Sequence, residues 1–179
     1  MRGAGADRDL PQGEPTLRPF NVRRDLNQVL EFQNEVYEGN FPGFAVDAYF
    51  REDFSRDLRR AARDPNEMLL VMEQGGALCG FIWVAVISTI VDPRVGYIKN
   101  VYVTPHLRGR GQAERLMQAA EEWFGDQSIE KMMLDASVMN QRAIAFYEKM
   151  DYVTERVRMV KRVGRAQIIG GLPGGMPDA

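Results

Sequence analysis

One stretch of the sequence, Gly96–Phe124, limits what this chain can fold into more than any other part. It contains a run of β-branched and aromatic residues, Tyr97–Val103, which predicts a strand. Pro105 ends that strand, because proline has no amide hydrogen to donate to a neighbouring strand. Beyond it, apolar residues recur at helical spacing, at positions 113, 116, 117, 120, 123 and 124. The stretch therefore predicts a strand that leads through a short turn into an amphipathic helix.

The turn between them, Arg108–Gly111, has the composition of a phosphate-binding loop. The first turn of a helix has unpaired amides and the positive end of the helix dipole. Glycines let the backbone approach an anion closely, and arginines add charge-assisted hydrogen bonds. The two common nucleotide-binding motifs do not fit, because the chain has no Gly-x-x-x-x-Gly-Lys-Ser/Thr run and has Glu114 where the dinucleotide fingerprint needs glycine or alanine. The turn alone does not separate a phosphate site from a solvated loop.

Length and composition bound the class of protein. With 179 residues, the chain is long enough for one domain and too short to predict two. A net charge of −2 argues against a broad basic surface for nucleic acid. A single cysteine, Cys79, and a single histidine, His106, argue against a disulfide and a zinc site, and no apolar run is long enough to span a bilayer. We therefore expect a cytoplasmic protein with no metal, no nucleic-acid partner and no membrane partner.

The rest of the chain alternates between strand-like and helical patterns. In order, we predict an edge strand at 16–21, helices at 25–37 and 47–63, strands at 68–73, 78–88 and 97–103, the helix after the turn, a strand at 129–136, a helix at 140–150 and one or two strands at 152–163. Hairpins come first and β-α-β connections follow, which indicates a mixed α/β sheet with helices on its faces. We expect residues 16–163 to form a single domain, with flexible tails at 1–15 and 164–179.

A second segment carries a more specific pattern. The sequence LDASVMNQRAIAFYEKMDY, Leu134–Tyr152, places Asn140, Ala143, Tyr147 and Lys149 at the spacing N-x-x-A-x-x-x-Y-x-K. Together with Arg-x-x-Gly-x-Ala after Val-Thr-Pro, it resembles the two motifs of the GNAT superfamily of acetyl-CoA-dependent N-acetyltransferases. Two positions depart from the family pattern: residue 136 is alanine instead of a branched residue, and residue 151 is aspartate instead of the glycine at the helix end. Neither is a ligand position in that family.

The resemblance implies a fold, a cofactor and a set of site residues. The fold is the GNAT acyl-CoA N-acyltransferase fold, a central, mostly antiparallel, twisted α/β sheet flanked by helices, and the cofactor is acetyl-CoA. In the family, the pantetheine arm bonds the backbone of the central strand and the pyrophosphate lies on the turn. The corresponding residues here are Val101, Tyr102 and Val103 on the strand, and Arg108, Gly109, Arg110, Gly111, Gln112 and Ala113 on the turn. Asn140 is expected to contact the cofactor arm, and Tyr147 to protonate the leaving thiolate.

The activity implied by the resemblance is direct transfer of the acetyl group to a primary amine, of a small molecule or of a peptide or protein, in a ternary complex. The alternative is a GNAT-fold domain that binds acetyl-CoA or a partner without turnover. Glu38 and Phe41 lie where family members shape the acceptor pocket. The central strand has no carboxylate to act as general base, so Glu38, Asp135 and a water chain all stay open. The resemblance also leaves a homodimer open.

The residues alone give simpler interpretations of two of these positions. Tyr147 lies three residues after Ile144, a spacing typical of a half-buried core tyrosine on a helix. Asn140 stands directly before a helical pattern, where asparagine is a common N-cap. Only the spacing between the two residues favours the catalytic interpretation.

Overall fold

The computed structural model describes residues 13–41 and 43–161. The predicted tails at 1–15 and 164–179 lie outside these residues, apart from positions 13 to 15. No helix in the described part of the chain is long and apolar enough to cross a membrane.

The described residues form two compact units. The first comprises those of Met1–Val36 and Val46–Asp135, and the second those of Tyr37–Ala45 and Ala136–Ala179. The expectation that 16–163 form a single domain stays a prediction.

Ten elements follow one another along the described chain. They are β1 (Thr16–Pro19), α1 (Val22–Asn40), α2 (Ala48–Ala61), β2 (Glu67–Gln74), β3 (Ala77–Ile87), β4 (Val95–Val103), a 3₁₀ turn (Pro105–Leu107), α3 (Gln112–Asp126), β5 (Met132–Leu134) and α4 (Gln141–Lys149).

The strands form one sheet in the order β1-β2-β3-β4-β5. Neighbours are antiparallel from β1 to β4, and β5 runs parallel to β4. The predicted mixed, mostly antiparallel sheet is confirmed, and β1 lies at its edge, as Pro19 indicates. Gly75 and Gly76 join β2 to β3, and both have positive φ, 57° and 83°. This is the type I′ geometry that glycine favours in a two-residue hairpin.

Helices cover both faces of the sheet in the first unit. One face packs against α1 and α2 through a core cluster of Leu26, Val29, Leu30, Phe32, Leu58, Ala61, Leu69, Val71, Leu78, Phe81 and Trp83. On the opposite face, α3 comes so close that a Cβ at Gly80 would lie 3.3 Å from Leu116, and one at Gly96 would lie 2.8 Å from the ring of Phe124. The absence of a side chain at Gly96 therefore lets that ring pack directly on β4.

A buried ion pair fixes the start of α1. Asp25 is 1% exposed and accepts hydrogen bonds from Arg18 at 2.7 and 2.9 Å and from the amide of Asn21 at 2.7 Å. Burial by itself would raise the pKa of the Asp25 carboxyl, but these hydrogen bonds and the charges of Arg18 and Arg24 hold that pKa below its usual value. The pair thereby sets the position of α1, which carries residues that contact the turn after β4.

Two predicted elements differ from the structure. β5 is only Met132–Leu134, and residues 152–161 form no strand, so the prediction of terminal strands was wrong there; positions 162 and 163 lie outside the described residues. The alternating pattern is present, but Val153 and Val157 are 86% and 75% exposed. A pattern predicts a strand only where a neighbouring strand pairs with it and a core covers one face.

Candidate active site

The central strand, β4, loses its outer neighbour partway along its length. β5 pairs with it only from Gly96 to Ile98, and no other strand of the described residues covers that edge beyond Ile98. On the other side, β4 stays paired with β3 as far as Val103, with a β-bulge at Lys99. The result is an open backbone edge from Lys99 to Val103.

The direction of the backbone decides which groups of β4 reach the open edge. The amide of Thr104 donates to the carbonyl of Cys79 on β3 at 2.9 Å. Successive residues of a strand turn their backbone groups to opposite edges. Val101 and Val103 therefore present theirs to the open edge, whereas Tyr102 turns towards β3. Of the three residues expected to bind the cofactor through their backbone, only Val101 and Val103 face the open edge. Their binding of a cofactor stays a prediction.

Arg108 holds the turn that follows β4 in place through a hydrogen bond and an ion pair. Its Nε donates to the carbonyl of Val103 at 2.8 Å, and its Nη2 forms an ion pair with Glu35 of α1. The guanidinium carbon lies 5.5 Å from the centre of the Tyr102 ring. Tyr102 stacks on Phe32 with ring centres 4.5 Å apart and donates its hydroxyl to Glu35 at 2.7 Å. Glu35 is a site residue that sequence reasoning missed, because a single glutamate on a helix gives no signal of its distant partner.

The two glycines of the turn adopt a conformation that other residues avoid. Gly109 and Gly111 have φ of 71° and 76°, in the left-handed region that costs a residue with a Cβ about 1–2 kcal/mol. A Cβ at either position would meet no atom within 4 Å. Backbone conformation, rather than packing, therefore requires glycine here. Gly111 is also the N-cap of α3, so the open space beside it borders the first amides of a helix, where an anion is stabilised.

The remaining residues of the turn complete this surface. Arg110 is exposed and forms no ion pair with any described residue. Gln112 and Ala113 begin α3, and the Gln112 side chain donates to the carbonyl of Arg110 at 3.2 Å while accepting from Arg115 at 2.9 Å. The structure thus brings the turn residues together at one helix start, with Arg110 as their unpaired positive charge.

Asn140 caps α4 in the second unit. Its Oδ1 accepts from the amide of Ala143 at 3.1 Å, which confirms the capping interpretation. Its Nδ2 donates to Oδ1 of Asn40 at 3.1 Å, in the last turn of α1. Both ends of the amide therefore have structural partners within this unit, and contact with the cofactor arm stays a prediction.

Tyr147 is fixed by the way α4 ends. The amide of Tyr152 donates to the carbonyl of Tyr147 at 3.0 Å, and that of Asp151 donates to Glu148 at 3.1 Å. With Asp151 at φ 63°, this is a Schellman motif, and the rings of Tyr147 and Tyr152 lie 5.7 Å apart, in the hydrophobic contact that often accompanies it. Burial raises the pKa of Tyr147 to about 12. The ring is partly buried, as the core interpretation predicts, and its hydroxyl stays protonated at neutral pH.

Glu38 and Phe41 lie at the end of α1, also in the second unit. The helix continues to Asn40, so the predicted helix end at residue 37, which would put Glu38 in the following loop, was wrong: Glu38 is an exposed residue of the last helical turn. Phe41 is 54% exposed, and its ring stacks on Tyr37 with centres 5.6 Å apart. The amide of Phe41 donates to the Tyr37 carbonyl at 2.8 Å, which extends the helical pattern past Gly39.

Two polar clusters lie on the α1–α2 face of the sheet near the bulge. The hydroxyl of Tyr97 donates to Oδ2 of Asp135 at 2.8 Å. Glu67 accepts from Lys99 at 3.2 Å, from Arg60 at 3.2 Å and from the indole of Trp83.

Cys79, by contrast, is a buried thiol whose pKa is raised to about 11 by burial, so it is not a nucleophile at neutral pH.

Comparison with known proteins places this geometry in a family. The model of the acetyltransferase (GNAT) family matches residues 26–152, a range that includes both motifs. A mycothiol acetyltransferase of Paenarthrobacter aurescens is 33% identical over 158 residues, which are 82% of this chain and 45% of that protein. The chain spans about half the length of the mycothiol acetyltransferases it matches.

Solved structures agree with the sheet order and the helices around it. A GCN5-related N-acetyltransferase from Ralstonia eutropha superposes with a TM-score of 0.68 at 28% identity, covering 84% of this chain and 99% of that one. AAC(6')-Iy, solved in complex with the bisubstrate analogue CoA-S-monomethyl-acetylneamine, superposes with a TM-score of 0.66 at 17% identity over 84% of this chain and 99% of its own, a likeness of fold. Since the family match spans most of the chain and both motifs, this protein belongs to the acetyltransferase (GNAT) family.

Proposed function

We propose that this protein is an N-acetyltransferase that moves the acetyl group of acetyl-CoA directly to a primary amine in a ternary complex. The observation that carries the proposal is the open edge of β4, which leads into a left-handed two-glycine turn at the start of α3. An edge strand offers backbone groups to a linear amide-containing ligand, and a helix start offers amides to a phosphate. A pantetheine arm ending in a pyrophosphate has both features in that order.

Acetyl-CoA would bind along this surface with its arm on Val101 and Val103. Its pyrophosphate would lie on the amides around Gly111, with Arg110 as the nearest unpaired charge. Arg108 would act mainly by holding the turn, because its guanidinium is already bonded to Val103 and Glu35. The coenzyme A analogue bound to AAC(6')-Iy supports the choice of cofactor.

The chemistry begins with a neutral amine. A lysine-like amine has a pKa near ~10.4 and must lose a proton before it can attack. The amine nitrogen then bonds to the thioester carbon, and the amide of Val101 stabilises the oxyanion that forms. As the C–S bond breaks, Tyr147 gives its proton to the thiolate. The second proton of the amine nitrogen, lost as the amide forms, returns Tyr147 to its neutral state.

The acidity of Tyr147 fits this role. A phenol and a thiol have reference pKa values of about 10 and about 8.5. Burial raises the pKa of Tyr147 to about 12, and the same burial would raise the pKa of a thiol next to it, because each group then loses the hydration of its anion. The pKa of Tyr147 therefore stays about 1.5 units above that of the thiol, as in the reference values. Proton transfer to the thiolate then costs roughly 2 kcal/mol, which is offset when the amine nitrogen loses its proton.

The acceptor is proposed only as a class. One relative is named as a mycothiol acetyltransferase, and one structural neighbour holds an acetylneamine analogue of coenzyme A, so small-molecule amines lead the candidates, with peptide and protein amines second. We propose that the enzyme is cytoplasmic. We also propose that it needs no metal, because the thioester is already an activated acyl donor.

The proposal is tested with acetyl-CoA and a panel of glucosamine, neamine, spermidine and a lysine-containing peptide. We expect thiol release that depends on one of these amines, with the acetylated product identified by mass spectrometry and the rate unchanged by a chelator. Acetyl-CoA alone should raise the melting temperature, whereas ATP should not. A melting-temperature shift without thiol release for any amine would instead support the alternative, a domain that binds acetyl-CoA without turnover.

A further inference from the structure

The Tyr97–Asp135 pair occupies a defined place in the sheet. Tyr97 lies opposite Met133 in the parallel pairing of β4 with β5. Asp135 follows Met133 by two residues, so its side chain lies on the same face as that of Tyr97. The hydrogen bond between them, 2.8 Å long, joins the two strands where they part. Both side chains belong to the first unit, and Asp135 is exposed.

This place is close to the backbone that would hold the thioester. Leu134 lies opposite Ile98, and Asp135 is one residue further in the direction of Val101. Regular spacing of about 3.3 Å per residue and about 4.8 Å between strands, continued past the last pair of β4 and β5, would put the backbone of Asp135 roughly 8 Å from that of Val101. That distance is too long for direct contact with an amine at the thioester carbon. It is suited to a carboxylate acting through one water, whose two hydrogen bonds span about 5.5 Å.

The carboxylates on this face differ in what they can still bind. Glu67 is 6% exposed at its side chain and already accepts from Lys99, Arg60 and Trp83, so it offers a substrate or a water little access. Asp135 forms no ion pair with any described residue, and its Oδ1 has no hydrogen-bond partner among them. Asp135 is therefore the carboxylate of the two that is open to a water molecule or a substrate.

We propose that Asp135 is the general base of the reaction and that Tyr97 is a positioning residue that orients it. The inference rests on the proposed acetyl transfer and answers which group activates the amine. Asp135 takes one proton from the acceptor ammonium through a water and later releases it to solvent. The amine lone pair then forms the new C–N bond. Tyr97 keeps its own proton and holds Oδ2, which leaves Oδ1 for the water.

The test uses the full chain and the most active amine of the panel above. Asp135→Asn keeps an oxygen that can accept from Tyr97 and removes the basicity. We expect kcat/KM for the amine to fall by about 10²–10⁴-fold at neutral pH, the usual effect of a positioned base. The ratio of wild-type to variant should shrink as the pH approaches the pKa of the amine, near ~10.4 for a lysine-like group, because a neutral amine needs no base. The Asp135→Asn variant leaves the ion pair between Glu67 and Lys99 on the same face unchanged.

Two further variants separate this role from a structural one. Tyr97→Phe should lower kcat/KM by a smaller factor, about 10-fold, with the same dependence on pH. Glu130→Gln, an exposed carboxylate just before β5, should behave as wild type. All variants should show the wild-type melting-temperature shift with acetyl-CoA. A constant wild-type-to-Asn ratio across pH, or an Asn variant as active as wild type, would overturn the assignment of Asp135 while leaving acetyl transfer intact. A wild-type protein that releases no thiol with any amine would overturn both.

Discussion

At the scale of single residues, Tyr147 owes its position to backbone hydrogen bonds rather than to its own hydroxyl. Its carbonyl accepts from the amides of Met150 and Tyr152, and its ring contacts Phe146 and Tyr152. Removing the hydroxyl leaves all of these contacts in place. The side chain is therefore well suited to a substitution that separates chemistry from folding.

We expect Tyr147→Phe to keep the melting temperature and the affinity for acetyl-CoA, and to lose about 10²–10⁴-fold in kcat, because the proton is needed only as the thioester breaks. The pKa of Tyr147 is raised to about 12, so its neutral form persists below that pH. The wild-type-to-variant ratio of kcat should therefore stay constant between about pH 6 and pH 10. Steady-state rates across that range measure it. Equal kcat values, with chemistry rate-limiting, would return Tyr147 to a packing role.

At the scale of secondary-structure elements, α3 and α4 end in the same way. Ser128 has φ 55°, and the amide of Ile129 donates to the carbonyl of Phe124 at 2.9 Å. Asp151 has φ 63° in the equivalent position after α4. Both helices thus place a residue with a side chain in the left-handed position of a Schellman motif, where glycine is the usual residue.

Ser128→Gly and Asp151→Gly should each stabilise the protein, because glycine removes the left-handed strain. Relief of the left-handed strain contributes about 1–2 kcal/mol. Glycine also gives the unfolded chain more conformational entropy, which reduces the net gain in the free energy of unfolding to about 0.5–1 kcal/mol. For a chain of this size, the melting temperature should rise by roughly 1–4 °C. Calorimetry compares each with Ser128→Ala, which keeps the strain and should show no gain. A lower melting temperature for both glycine variants would contradict this interpretation of the helix ends.

A structural element can be predicted from the sequence when the residues that determine it are adjacent in the chain. The Gly75-Gly76 hairpin and the Asp47 cap, which accepts from Phe50 at 2.8 Å, are predictable because a few adjacent residues determine them. The short β5 and the missing strand at 152–161 were not predictable, since pairing depends on distant residues. For the same reason, the Glu35–Arg108 ion pair and the Tyr97–Asp135 hydrogen bond appear only in the structure.

At the scale of the whole molecule, the two sequence motifs by themselves indicate the correct family. Their spacing reflects the order of strand, turn and helix that the structure contains, and the family match covers both. We expect acetyl-CoA to bind on the turn between β4 and α3 whichever amine is the acceptor.

Calorimetric titration of acetyl-CoA into wild type, Gly111→Ala and Gly111→Glu tests this claim most directly. Both variants carry the same left-handed strain, and a Cβ there meets no atom within 4 Å, so both should fold. Only glutamate adds a negative charge beside the helix start, and Ser128→Glu adds the same charge at the far end of α3 as a control. We predict wild-type affinity for Ser128→Glu, a modest loss for Gly111→Ala, and at least about a 100-fold loss for Gly111→Glu, equivalent to losing one or two charge-assisted hydrogen bonds. A folded Gly111→Glu protein that binds acetyl-CoA as tightly as wild type would contradict the account.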